Sequence, residues 1–264
     1  MKTQSRIASI LKTNCLDSSV TGLPTFDLAQ LDLKKDLDFI LPSNLRLGHL
    51  AEFIVSGLIN ASTNYEVIYE NIQLIEDKQT IGELDFIIEN SLSKSIIHME
   101  LAYKFYLFDP SLSNDQINNW IGPNRNDSLK QKLDKLKTRQ FPLLQKPITN
   151  STLNLETNEI SQALCLLVNL YVPFEYKNSF SPAYAKAIKG YYINQETFIN
   201  LESPTKSYYL PPKKEWGMDP MENKIWFGFH DIIENLNNSM EEKQAVLCWQ
   251  KNKAVCAEFF IISW

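Results

Sequence analysis

The spacing of apolar and polar positions changes several times along the chain, and each change marks an element. In residues 45–60 (LRLGHLAEFIVSGLIN), Leu47, Leu50, Ala51, Ile54, Val55 and Leu58 recur at helical spacing, so one stripe of a helix should face a core. Ser43 or Asn44 is placed to cap its start, and His49 and Glu52, three apart, share another face. Residues 66–77 then read as a strand that turns through DKQT into residues 81–88. There Leu84, Phe86 and Ile88 alternate with Glu83, Asp85 and Ile87. After the polar turn NSLSK, Ile97, Met99, Leu101, Tyr103 and Phe105 alternate with His98, Glu100, Ala102 and Lys104. The two runs should pair as an antiparallel hairpin, which places Asp85, Glu100 and Lys104 on one face of one sheet.

Outside this centre the pattern is less uniform. Residues 1–40 mix short amphipathic pieces with turns and read as an arm around the main body. Residues 109–127 form a loop long enough to cover something. Residues 127–144 predict a second helix with Leu129, Leu133, Leu136 and Gln140 inward. Residues 147–159 read as a polar linker. Residues 160–176 are apolar enough to be buried, and periodicity does not decide between a helix running into a strand and one long element. Further on come a strand around Tyr191–Ile193, an aromatic, proline-rich loop over 207–220, a short helix over 225–236, and a closing strand pair over 245–250 and 254–263. No repeat, low-complexity tract or clear domain boundary interrupts the chain, so residues 1–264 read as a single domain with a core over about 45–176.

Composition narrows the function classes. With 264 residues, 44% hydrophobic and 22% charged, the chain can bury a sizeable core. A net charge of −5 gives no overall attraction to polyanions, so a nucleic-acid site needs a local basic surface. Residues 124–146 carry one: seven basic side chains against two acidic ones, with Lys132, Lys135 and Arg139 along one flank and Lys130 and Lys137 along the other. Nearly pure sign suits phosphate contact, although a charged helix flank also occurs as plain solvated surface. The cysteines at 15, 165, 248 and 256 form no C-x-x-C pair, which argues against a zinc site or a disulfide framework and for reduced thiols in a cytoplasmic protein. The N-terminus lacks an apolar signal segment, and the longest apolar run is far short of a bilayer span. Neither a membrane nor a particular oligomeric state is indicated.

The chemistry concentrates in the hairpin. Two acids beside a lysine are what metal-assisted phosphodiester cleavage requires. Glu100 and Lys104 could equally be cross-strand partners on a solvated face, and spacing alone does not separate the two readings. Glu52 reads as a solvated helix carboxylate, or as a third acid if its helix packs against the polar face of the hairpin. With His49, His98 and His230 outside any nucleophile motif, Ser-His-Asp and Cys-His mechanisms are disfavoured.

The blocks GELDFII, HMELAYKFYL and WIGPNRNDSLKQKLDKLKTRQFPLL, in this order over residues 80–146, resemble a bacterial family of unknown function, DUF1853, which is placed in the PD-(D/E)XK, or restriction-endonuclease-like, superfamily. The resemblance implies an α/β core of helix, three-stranded antiparallel meander, helix and a further strand, here with an N-terminal arm and C-terminal β additions. It further implies that Asp85 and Glu100 hold Mg²⁺ or Mn²⁺, that Lys104 orients the attacking water or neutralises the transition state, and that Glu52 assists. Arg125, Lys132, Lys135 and Arg139 would hold the nucleic-acid backbone. The usual signature places acid and lysine two residues apart. Here they are four apart, which keeps them on one face but moves the amine by about 6–7 Å along the strand.

The expected function is therefore metal-dependent hydrolysis of phosphodiester bonds in nucleic acid, with DNA ahead of RNA. The alternative is a catalytically inactive module of the same fold that binds nucleic acid or a protein partner. A glycosidase with two carboxylates across a cleft is a distant third.

Overall fold

A computed structural model describes residues 3–33, 37 and 39–264. The fold is mixed α/β with mostly antiparallel strand pairing, and the chain forms two compact units. One comprises Cys15–Tyr103 and Gln131–Leu167, the other Met1–Asn14, Lys104–Lys130 and Val168–Trp264.

In the first unit a helix over Leu47–Ala61 precedes strands β1 (Tyr65–Glu76), β2 (Gln79–Asn90) and β3 (Ile96–Phe108), the last of which runs on into the other unit. Every residue of the expected stripe, Leu47, Leu50, Ala51, Ile54, Val55 and Leu58, is buried. The helix start differs from expectation. Arg46 in extended conformation precedes it, and no side chain caps it, Ser43 and Asn44 included. Strands β1, β2 and β3 form an antiparallel meander, as the alternation indicates.

The second helical segment is less regular than its apolar spacing suggests. The α-helix runs only over Leu129–Lys135, a π-helical turn follows over Leu136–Gln140, and 3-10 geometry continues through Gln145. Pro142 accounts for part of this, since it has no N–H to extend the α-helical ladder, while the Phe141 N–H bonds the Leu136 carbonyl across the wide turn. Residues 147–159 are not a plain linker. Pro147–Leu153 is a helix that buries Thr149 and Leu153, and a 3-10 turn covers Thr157–Glu159. Proline in the first turn favours that start, and its Ser, Thr and Asn residues conceal the apolar contact. Leu153 joins Leu74, Leu84, Ile87, Leu143, Leu144 and Ile160 in this unit's core. The ambiguous segment is strand β5 (Ser161–Pro173), buried on both faces over Ala163–Tyr171, which is why it shows no alternation. It lies beside β3 and runs on into the other unit. From the arm, Cys15 and Thr25 bridge to Leu167 and Leu164 of β5.

The other unit adds β4 (Trp120–Ile121), β6 (Ile188–Asn194), β7 (Lys206–Tyr209), β8 (Val246–Asn252) and β9 (Val255–Ile262). Strand β6 pairs in parallel with the end of β5 and with β9, and β9, β8 and β7 pair antiparallel in that order. The expected closing pair is thus present as β8 and β9. A helix over Phe229–Glu241 packs Ile232, Leu236 and Met240 against Phe198, Tyr208, Cys248 and Phe259. It starts later than expected because the Asp231 carboxylate accepts the Gly228 N–H at 2.9 Å and fixes the first turn there. The helix Thr3–Leu11 belongs to this unit, where buried Arg6 donates to the carbonyls of Trp216 and Lys214. All four cysteines are free, and Cys15, Cys165 and Cys248 are buried. Among the described residues no helix is long and apolar enough to cross a membrane.

Two glycines give opposite expectations for stability. A Cβ on Gly190 in β6 would lie 2.1 Å from the Glu258 carbonyl oxygen of neighbouring β9, so only glycine allows this strand spacing. A Cβ on Gly48, inside the Leu47–Ala61 helix, would meet nothing within 4 Å. Gly190→Ala should cost at least about 1–3 kcal/mol. Gly48→Ala should add about 0.5–1 kcal/mol. Thermal denaturation of the two variants checks the signs, and a tolerated Gly190→Ala would count against this strand packing.

Candidate active site

Strands β2 and β3 pair Glu89 with Ile96, Ile88 with Ile97, Ile87 with His98 and Phe86 with Met99. The same register carried one step further sets Asp85 opposite Glu100. At this point a side chain takes over from the backbone ladder: the Leu101 N–H donates to Asp85 Oδ2 at 2.8 Å. Asp85 and Glu100 therefore meet where the strands leave their regular pairing. The solvated reading of this face does not hold for β3, because Glu100 and His98 are each 0% exposed.

Each oxygen of Glu100 has a donor. Gln140 Nε2 donates to Oε2 at 2.8 Å, and His98 Nε2 lies 3.0 Å from Oε1. The π turn brings Gln140 into this position, with the Lys132 ammonium donating to its Oε1 at 3.4 Å. Asp85 is the unbalanced member of the pair. Burial, and secondly the negative charge of Glu100, push its carboxyl up to about 8, against the opposing pull of the Leu101 N–H and Lys132. Glu52 acts on it in the same direction as Glu100, so the helix carries this acid within electrostatic reach of the pair. Glu52 also binds the exposed His49 ring at 2.9 Å, and that hydrogen bond raises the His49 pKa.

The residues expected at the site are thus brought together only in part. Glu100 and Glu52 both act on Asp85, and Lys132, expected on the phosphate-binding flank, is the cation acting on it. Lys104 has another acidic partner: its ammonium donates to Asp127 Oδ2 at 2.8 Å, in the unit that begins at this point of β3. Asp127, just ahead of the Leu129–Lys135 helix, supplies the opposite charge that the displaced amine takes. Arg125 is also committed within that unit, 3.2 Å from Asp109 and with its guanidinium 4.4 Å from the centre of the Trp264 ring. Lys135 and Arg139 are exposed on the helical segment.

His98, Gln140 and Gln162 were not singled out from sequence as site residues. His98 carried a signal, standing two residues before Glu100 on the same face. Gln140 fell on an inward stripe, and nothing in the pattern marked Gln162.

Among the described residues no group of three or more His, Cys, Asp or Glu side chains gathers as a metal site. Asp85 and Glu100 still suit a hard divalent ion, since Mg²⁺ commonly takes one or two carboxylates and completes its shell with water and substrate oxygens.

The sign of the Asp85 shift sets a pH dependence. Unfolded, this carboxyl releases its proton near pH 4, whereas in the fold it holds it to about 8. The protonated form thus supports the fold at acid pH, and that contribution is lost as pH rises from about 4 through about 8. Relative to Asp85→Asn, wild type should lose up to about 1.4 kcal/mol per pH unit in that window. Melting curves of both proteins at stepped pH test this, and parallel profiles would contradict it.

None of the curated proteins and none of the solved structures compared with the chain matches it. A family model does, over residues 4–255, nearly the whole length and including every residue of the acidic site. The chain belongs to that family, the domain of unknown function DUF1853.

Proposed function

We propose that this protein is a divalent-metal-dependent nuclease, with the helix, meander, helix and strand of the Asp85 unit serving as a restriction-endonuclease-like core. The observation that carries the reading is the pairing of half-buried Asp85 with fully buried Glu100, which together with burial holds the Asp85 proton up to about 8. Ionising both acids would place two anions side by side, and the field of Lys132 does not offset them enough to keep Asp85 ionised at neutral pH. A divalent cation there would stabilise charge on the scissile phosphate and lower the pKa of a bound water. Asp85 and Glu100 would hold it. Lys132 would stand beside the pair to orient the water or offset charge in the transition state, the role that sequence assigned to Lys104. Glu52 would fill the outer side of the site, and exposed Lys135 and Arg139 would contact the substrate backbone. DNA remains ahead of RNA as substrate.

The test is cleavage of a mixed panel of DNA and RNA with Mg²⁺ or Mn²⁺. Asp85→Ala and Glu100→Ala should each lower the rate by at least about 100-fold, a loss of the size seen when transition-state charge loses a stabilising partner. Lys132→Ala should lower it by about 10- to 100-fold, and Lys104→Ala should leave it close to wild type. Rates unchanged by both acid substitutions would end the assignment.

The engagement of Lys104 by Asp127 favours one other reading, a module that binds nucleic acid without cutting it. Binding would then persist in chelator and weaken with salt, and Lys135→Ala or Arg139→Ala would each reduce the salt slope by about 1. Cleavage abolished by chelator would exclude this reading.

A further inference from the structure

We infer that His98 and Gln162 are positioning residues for Glu100, holding its carboxylate in one orientation through a single imidazole tautomer; the inference rests on the proposed role of Glu100 as a metal ligand. The amide of Gln162 has only one consistent orientation. Its Nε2 lies 2.8 Å from the Phe141 carbonyl oxygen, to which it donates. The flipped amide would set oxygen against oxygen there. The same Nε2 lies 3.0 Å from His98 Nδ1, so it donates its second N–H to that nitrogen. Nδ1 is then an acceptor, and the ring proton of neutral His98 sits on Nε2. Nε2 faces Glu100 Oε1 at 3.0 Å and donates to it.

Packing fixes the ring as firmly as the hydrogen bonds do. His98 is 0% exposed, and its ring meets Phe141 edge-to-face at 5.7 Å between centres. Gln140 holds the other oxygen of Glu100 at 2.8 Å. Each carboxylate oxygen thus spends one acceptor direction on a fixed donor and keeps another for a cation. Ligating carboxylates are commonly oriented in this way by outer partners, whose loss costs about 10- to 100-fold in metal affinity. A network that only satisfied its own buried polar atoms would change stability when broken, but not the affinity of the folded protein for metal.

The experiment uses the full chain and Mn²⁺ as the probe. Titration should show Mn²⁺ binding by wild type weakened about 10- to 100-fold by His98→Phe, which keeps a ring against Phe141 but removes the donor. Gln162→Leu, which leaves both His98 and Glu100 in place, should weaken it by a smaller factor and keeps the inference testable if His98→Phe fails to fold. His98→Gln, whose amide can donate to Glu100 and accept from Gln162, should restore most of the affinity. In ¹⁵N-histidine spectra the three histidines are few enough to assign by substitution, and His98 should carry its proton on Nε2. Wild-type affinity in folded His98→Phe and Gln162→Leu, or a proton on Nδ1, would overturn the positioning role and leave the nuclease reading standing. Absence of Mn²⁺ binding by wild type would overturn both.

Discussion

One hydrogen bond sets the character of the site: the Leu101 N–H given to the Asp85 carboxylate in place of a strand partner. A ladder bond between β2 and β3 would satisfy that N–H without bringing in charge. The side-chain bond draws an acid inward and holds it next to Glu100, which is itself fully buried. Removing two carboxylates from water costs several kcal/mol unless donors and opposite charge compensate. The protein compensates Glu100 with two donors and Asp85 with a backbone N–H and the field of Lys132. The remaining imbalance falls on Asp85 and holds its proton well above the ordinary carboxylate range. Strain of this kind at a cluster of ionisable groups points towards chemistry.

The helical segment opposite the strands serves the same pair. An uninterrupted α-helix through residue 144 would fix a different spacing between Lys132 and Gln140. The π turn widens the helix by a residue at the point where Gln140 must reach Glu100. The 3-10 turn that follows places Phe141 so that its ring lies on His98 while its carbonyl orients Gln162. Irregular helical geometry at this location is therefore tied to three contacts of the site, in line with the association of π turns with functional positions.

Much of this was legible in the sequence, and the exceptions have physical reasons. Period-two alternation located β2 and β3 and set Asp85 and Glu100 on a common face, because side-chain direction in a strand follows from parity. Helical spacing likewise identified the buried stripe from Leu47 to Leu58. Parity says which face a residue occupies, but not whether that face meets water. Spacing consequently left a solvated face open for Glu100, although Glu100 and neighbouring His98 are both buried. Parity also does not fix where a long side chain ends. Lys104 lies on the expected strand, but its flexible stem carries the ammonium to Asp127. The Pro147–Leu153 helix was hidden by a polar composition, and β5 by burial on both faces, since each removes the contrast that periodicity depends on.

A second buried carboxylate, in the other unit, shows why burial by itself does not mark a site. Glu258 is 6% exposed, yet Trp249 Nε1 donates to it at 2.7 Å, the Tyr171 hydroxyl donates to its other oxygen, and the Lys189 ammonium lies 3.7 Å away. One negative charge meets two neutral donors and a cation, with no second acid among the partners described, and the group joins strands β5, β6, β8 and β9. That is the arrangement of a structural anchor, whose removal should loosen the strands and little else. Asp85 differs in what surrounds it: two further acids raise its pKa, and one lysine and one N–H oppose them. Between these two places, then, the balance of charge around each acid makes the difference: Glu258 is offset by its donors and a cation, whereas Asp85 beside Glu100 is left with an excess of negative charge.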